Sequence, residues 1–286
     1  LDFLSQRALP GVESAYPGRF RRAIRFTKPP DSSSARNSST EDESGNDGGH
    51  AIVDLQFGPT EVTLTVTLSE ETDRSPSDVS AIGDRVRNWL DLNADVVRID
   101  AHLAQDPSLA PRVKALPGLR VPGTADPFET AIRAIIGQQV SVAGARTVAG
   151  RLALAVGPQL RIADPQITHL FPGPAEILAA PDDLFAMPQA RRLTIRRCAE
   201  AVADGTVDLE VRPDNPVEHI CSSLLSIKGI GPWTASYIAM RALGDRDVFL
   251  PTDLGVIRSM ERSDRSIDPE RWRPFRSYAL HHLWLS

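Results

Sequence analysis

LSIKGIGPWTASYIAMRALGDRDVFLPTD, residues 225–253, decides how this chain reads. Gly229-Ile230-Gly231 make a tight turn, and Pro232 opens a helix, since proline at the first helical position gives up an N–H that would be unpaired anyway. Ahead of the turn, Val217, Ile220, Leu224 and Leu225 fall on one helical face, so the pattern is helix, glycine turn, helix. Glycine lets the backbone approach a phosphate closely and take positive φ. The unpaired N–H groups at the start of the second helix then form a natural anion site. Asp253 follows about 20 residues on, where a carboxylate could meet a reacting sugar. The plain alternative is an ordinary helix–helix connection, and a lone G-x-G would leave that alternative standing. The longer string L-x-x-x-x-G-I-G-x-W-T-A is more specific and favours a hairpin that grips a nucleic-acid backbone.

Composition neither demands nor forbids this. A chain of 286 residues has room for one large or two to three smaller domains with real cores. A net charge of −5 runs against a nucleic-acid partner, which normally selects a basic excess. From Pro111 onward, however, 21 Lys and Arg face 19 Asp and Glu, leaving 32 − 21 = 11 basic and 37 − 19 = 18 acidic residues in the first 110. The acidity therefore lies largely outside the part that holds the turn. Cys198 and Cys221 have no C-x-x-C spacing and are expected to be reduced thiols of a cytosolic protein. No apolar run approaches the ~20 residues that span a bilayer, and no signal peptide is visible, so no membrane partner is expected. The first residue is Leu1 rather than Met, which fits a piece of a longer polypeptide.

The tract 29–50 is rich in Ser, Asp, Glu and Gly and is expected to be a disordered acidic insertion. Around it, Phe20–Thr27, Ile52–Phe57 and Val62–Leu68 read as strands, with Gly58-Pro59-Thr60 as a hairpin turn. Val79, Ile82, Val86, Trp89 and Leu90 share a helical face. Further on, Asp126-Pro127-Phe128-Glu129 predicts a helix start with an N-cap acid and a capping box, and Phe128, Ile132, Ile135 and Ile136 predict its buried face. The Ala/Gly-rich run Val142–Val156 and the segments Arg191–Asp204, Val217–Leu225, Trp233–Leu243 and Tyr278–Leu285 read as further helices. Trp89 and Trp272 read as core residues.

The residues Leu119-Arg120-Val121-Pro122-Gly123, Asp126-Pro127-Phe128-Glu129, Ala134-Ile135-Ile136-Gly137-Gln138-Gln139-Val140-Ser141, V-F-L-P-x-D ending at Asp253, and Trp272-Arg273-Pro274-Phe275-Arg276-Ser277-Tyr278-Ala279-Leu280 join the hairpin in one pattern. Together they resemble the helix-hairpin-helix DNA glycosylase superfamily, and within it the bacterial DNA-3-methyladenine glycosylase II, or AlkA, type. Some actinobacterial members are fused behind an alkyl-transfer and regulator module. The resemblance implies an α+β fold: a small N-terminal α/β domain, antiparallel sheet plus helices (1–101), then a mostly α-helical two-lobed core. One lobe would be 102–126 with 246–286 and carry the catalytic acid; the other, 127–245, would carry the hairpin.

The resemblance also implies chemistry. Asp253 would stabilise the cationic sugar that forms as an N-glycosidic bond breaks; on position alone a helix N-cap is the commoner explanation. Trp233, Tyr237 and Trp284, with Gln138, would form the base pocket, where electron-rich rings attract a cationic base; spacing alone leaves the three aromatics open as core residues. Gln139 would hold the position of the side chain that fills the gap left by the extruded nucleotide, a departure from the apolar residue usual there. Gly229, Ile230, Gly231, Trp233 and Thr234 would grip the DNA phosphate. The carbonyls of Leu225, Ile227 and Gly229 would hold a monovalent cation, sodium or potassium, with no other cofactor required and no iron–sulfur cluster. Trp233 stands where backbone-cutting relatives carry a nucleophilic lysine, so the expected activity is monofunctional. The implied partner is damaged duplex DNA, met by a monomer in the bacterial cytoplasm at the nucleoid. The competing classes are a non-catalytic DNA-binding module or regulator fragment, and a glycosylase for oxidised or deaminated bases.

Overall fold

The computed structural model describes residues 1–26, 49–69, 76–262 and 267–285. Of the expected acidic insertion 29–50, residues 29–48 lie outside the described residues, as does Thr27, expected to end a strand, while Gly49 and His50 already belong to a strand. The chain divides into two compact units, one of residues 1–85 with 139–187, the other of residues 86–138 with 188–286.

The first unit begins with a short helix, α1 (Asp2–Ser5), and a four-stranded antiparallel sheet in sequence order: β1 (Glu13–Tyr16), β2 (Arg19–Phe26), β3 (Gly49–Phe57) and β4 (Val62–Leu68). The turn at Gly58-Pro59-Thr60 joins β3 to β4, in register from Phe57 against Val62 to Ala51 against Leu68. β1 has no alternating apolar pattern and was not legible in the sequence; it pairs with β2 from Glu13 against Arg22 to Tyr16 against Arg19. β2 and β3 carry the buried face, with Phe20, Ala23, Ile24, Ile52 and Leu55 at 3 % exposure or less. Helix α2 (Pro76–Trp89) follows. Its buried stripe starts at Ile82, because Val79, one turn earlier, is 47 % exposed.

The second unit takes up the chain in α3 (Val96–Leu103), α4 (Ala110–Ala115) and α5 (Pro127–Ile136). Asp126 caps α5 by accepting from Glu129 N at 3.0 Å. The reciprocal half of the expected capping box is replaced: Asp126 N donates to Thr124 Oγ1, and the buried Glu129 pairs with Arg133 at 2.8 Å. Ile132, Ile135 and Ile136 are fully buried. The chain then returns to the first unit through α6 (Val142–Val156) and α7 (Pro174–Ala179). Residues 139–187, expected to belong with 127–245, are tied to the sheet. Thr168 N and His169 N both donate to Gly11 O, Arg21 pairs with Asp164 and Arg25 with Glu176, while Ile167 and Leu170 pack with Ala23 and Ile52. Gly150 of α6 earns its place by close packing, since a Cβ there would stand 3.0 Å from Pro10 Cδ.

Five helices complete the second unit: α8 (Gln189–Ala203), α9 (Val217–Ser226), α10 (Pro232–Ala242), α11 (Leu254–Glu261) and α12 (Arg276–Trp284). α12 is buried all round, which accounts for its lack of an apolar face in sequence. Buried polar bonds fix its region: Tyr278 Oη donates to Asp91 at 2.8 Å, Trp272 Nε1 donates to Asp106 at 2.8 Å, and Val248 N donates to Ser277 Oγ at 3.0 Å. Such bonds are costly to break one-sidedly, so they hold α12 in a single register. Trp89 and Trp272 are core residues at 2 % and 0 % exposure.

Candidate active site and nucleic-acid interface

The hairpin between α9 and α10 is shaped by one glycine. Ile230 N donates to Ile227 O at 3.0 Å and closes the turn, which carries Gly229 to φ +106°. A Cβ on Gly229 would lie 2.0 Å from Oγ1 of the buried Thr194 on α8, so both backbone angle and space exclude a side chain. Gly231 differs: its φ of −101° is ordinary, and an added Cβ would meet nothing within 4 Å. Ile230 drops its side chain into the core at 5 % exposure and anchors the tip. Beyond it, the N–H groups of Gly231, Trp233 and Thr234 find no acceptor among the described residues. These are the orphan donors of a helix start, turned into a donor set for an anion.

Gln138, expected beside the base pocket, spends its amide on the hairpin: Nε2 donates to Gly229 O at 3.0 Å and to Thr234 Oγ1 at 2.9 Å. Its backbone oxygen accepts from Arg191 Nη2 at 2.5 Å. Gln139, the next residue, has φ +58°, a left-handed conformation uncommon for a side-chain-bearing residue. The expected cation ligands are exposed to different degrees and partly engaged, with Ile227 O and Gly229 O each accepting one hydrogen bond. A carbonyl oxygen has a second lone pair, so this donor set still fits a hard monovalent ion. Among the described residues no group of three or more His, Cys, Asp and Glu could hold a metal ion.

Asp253 is the N-cap of α11, and it is more than that. Its Oδ1 accepts from Gly255 N at 2.9 Å and Val256 N at 3.2 Å, the capping bonds, and also from Trp284 Nε1 at 3.0 Å. All three donors fall on the same oxygen, which leaves Oδ2 to meet other charge. The third donor brings the end of α12 to the start of α11, and with it the aromatic residues. Trp233 and Tyr237, one turn apart on α10, stack with centroids 5.2 Å apart and planes at 14°. Tyr237 and Trp284 lie 6.4 Å apart at 46°, and His281 meets Trp284 edge-on at 5.2 Å. The structure therefore brings Asp253, Trp284, Tyr237 and Trp233 into one half-buried group.

Two residues, one beside Asp253 and one at the hairpin, escaped the sequence reading. Gly255 sits in the first turn of α11, where a Cβ would stand 3.1 Å from both Asp253 Oδ1 and Trp284 Cδ1. A glycine inside a helix costs about 1 kcal/mol and hints at a close approach; that was its available signal. Thr194 gave none, because its role is set by the glycine it touches 35 positions away.

Residues 1–126 match the family model described as the AlkA N-terminal domain. Over 288 residues and 98 % of its length, the chain is 34 % identical to a Mycobacterium tuberculosis protein named as a probable bifunctional transcriptional activator and DNA repair enzyme AlkA. The chain is thus similar to AlkA proteins along nearly its whole length. An Escherichia coli relative, DNA-3-methyladenine glycosylase 2, is 40 % identical over 176 residues, 59 % of this chain. The chain spans 53 % of the first relative and 61 % of the second, roughly half the length of these curated relatives. Its fold is that of a solved Archaeoglobus fulgidus 3-methyladenine DNA-glycosylase, with a TM-score of 0.73 at 22 % identity, covering 99 % of this chain and 90 % of that one. The expected α+β architecture, a sheet at the N-terminus followed by helices, is thus the observed one.

Proposed function

We propose that this chain is a monofunctional DNA glycosylase of the AlkA type that hydrolyses the N-glycosidic bond of alkylated bases, of the 3-methyladenine and 7-methylguanine kind, in duplex DNA. One observation carries the reading: a half-buried carboxylate, bound through one oxygen, stands in the same group as three aromatic rings. A base alkylated at a ring nitrogen is cationic and already a good leaving group, so no general acid is needed. What remains is to hold the base and to stabilise the sugar as it becomes cationic. The ring faces of Trp233, Tyr237 and Trp284 favour the cation by about 0.5–2 kcal/mol each. Asp253 Oδ2 opposes the charge developing on the sugar and receives the proton of the attacking water. Extrusion of the nucleotide costs a few kcal/mol, least at a damaged pair, and Gln139 is the residue we assign to the vacated stack.

The hairpin amides of Gly231, Trp233 and Thr234 would take a backbone phosphate, helped by Ile230 as the anchor of the turn. A sodium or potassium ion held by the carbonyls of Leu225, Ile227 and Gly229 would add positive charge there. No other cofactor is required. Trp233 cannot act as an amine nucleophile, and Lys228 lies before the first glycine of the turn rather than at the position of Trp233, so the product is an abasic site with an intact strand. We take the working form to be a monomer acting on the bacterial nucleoid; no helix among the described residues is long and apolar enough to cross a membrane. The retained carboxylate and its aromatic neighbours disfavour a binding-only module.

The test is release of free bases from methylated duplex DNA. Asp253→Asn should lose release by at least a hundredfold while keeping duplex affinity. Equal release by both proteins removes Asp253 from the mechanism, and a covalent adduct trapped with borohydride refutes the monofunctional assignment.

A further inference from the structure

Two acid-free runs of sequence, 184–199 and 219–244, meet at the hairpin. The first contains the start of α8 with Arg191, Arg192, Arg196 and Arg197; the second contains the whole turn with Lys228. Arg192 and Arg196 have partners of their own. The other three cations are placed by the turn itself. Arg191 donates through Nη2 to Gln138 O at 2.5 Å, and Gln138 in turn holds Gly229 O. Arg197 Nη1 lies 3.5 Å from Lys228 O, and Thr194, between the two arginines, packs on Gly229. None of Arg191, Arg197 and Lys228 pairs with a carboxylate among the described residues, although Arg191 and Arg197 are half-buried and Lys228 is exposed.

We propose that Arg191, Arg197 and Lys228 form a basic shoulder on α8 that binds the phosphates next to the one held by the hairpin amides. Nucleic-acid backbone is the chemistry that fits. A guanidinium has five N–H donors, and one spent on a carbonyl leaves four for phosphate oxygens. Six residues of helix separate the two arginines by about 9 Å along the axis. A DNA strand rises about 3.4 Å along the duplex axis per phosphate, so two guanidiniums set this far apart can reach separate phosphates of one strand. Local placement of this kind is how a chain of net charge −5 can meet a polyanion. The inference rests on the nucleic-acid partner of the preceding section but not on its base chemistry.

The experiment is the salt dependence of binding to an undamaged fluorescent duplex, measured by anisotropy between 50 and 300 mM potassium chloride. Each lost phosphate contact lowers the slope of log affinity against log salt by about 0.9. Arg197→Gln and Lys228→Gln should each lose about that much and the double variant about 1.8, which makes wild-type binding fall about 12-fold further than the double variant's between 50 and 200 mM. Arg197→Lys, which keeps the charge, should keep the slope. Thermal melting of each variant within 2 °C of wild type ensures that folding is not what changed. Wild-type slopes in both Gln variants overturn the shoulder while leaving the hairpin. Absence of any duplex binding by wild type overturns the functional reading itself.

Discussion

Replacing Gly229 with alanine tests the turn that everything at the hairpin depends on. Two costs can be worked out. At φ +106° an L-residue is strained by about 1–3 kcal/mol. The new Cβ would also lie 2.0 Å from Thr194 Oγ1, 2.9 Å from its Cγ2 and 3.0 Å from its Cβ. Overpacking of that kind costs about 1–3 kcal/mol, so the sum is about 2–6 kcal/mol. Thr194→Ala in the same protein removes the two closest atoms and leaves the third at 3.0 Å. It should restore the packing share while the backbone strain persists. Alone, Thr194→Ala forfeits the single hydroxyl proton shared between Ala190 O at 3.0 Å and Lys228 O at 3.3 Å, about 0.5–1.5 kcal/mol in all. Urea unfolding followed by tryptophan fluorescence gives the four stabilities of the cycle, and a favourable coupling of at least about 1 kcal/mol is expected. Duplex affinity should fall with Gly229→Ala and recover partly in the double variant. A Gly229→Ala protein within about 0.5 kcal/mol of wild type would refute the argument, and so would a cycle with no coupling.

Three further outcomes follow from the same geometry. Trp284→Phe keeps the ring but loses the N–H on Asp253; a hydrogen bond to a charged group is worth about 1.5–3 kcal/mol, so kcat for base release should drop roughly 10- to 150-fold with KM nearly unchanged, and Gly255→Ala should act in the same direction by pushing the two side chains apart. Burial disfavours the Asp106 carboxylate, but bonds from the Ser108 hydroxyl and amide and from the Trp272 indole outweigh it and hold its pKa below the usual 3.8. The unfolded chain then takes up the proton first, so this stabilisation is present above 3.8 and lost as pH falls; the melting temperature of Asp106→Asn should fall less steeply on acidification than that of wild type. Burial pushes the Cys198 thiol up to about 12, so in the native protein at mildly alkaline pH a thiol reagent should label Cys221 well before Cys198, and equal rates would contradict the buried placement.

Local chemistry was the legible part. Pro232 and Asp126 announced helix starts, the threonine alternation of Val62–Leu68 announced a strand, and Gly229 announced a turn, because each signal lies within a few residues of its effect. Pairings across the chain were not legible. Nothing near Asp253 says that Trp284, 31 positions on, will donate to it, and nothing near Gln138 says that its amide will close on Gly229. β1 was missed because its four residues take their place from pairing with β2 rather than from their own pattern. Gln138 shows this plainly: its amide bonds to Gly229 and Thr234 depend on residues more than 90 positions away.

The lopsided bonding of Asp253 has a practical side for inhibitor chemistry. With three donors seated on one oxygen, the plane of the carboxylate is held fixed, and on the proposed chemistry a cationic sugar mimic would meet the other oxygen in one orientation. A rigid ammonium ring matched to that orientation should outperform a floppy one, because the protein has already surrendered the freedom that binding would otherwise cost.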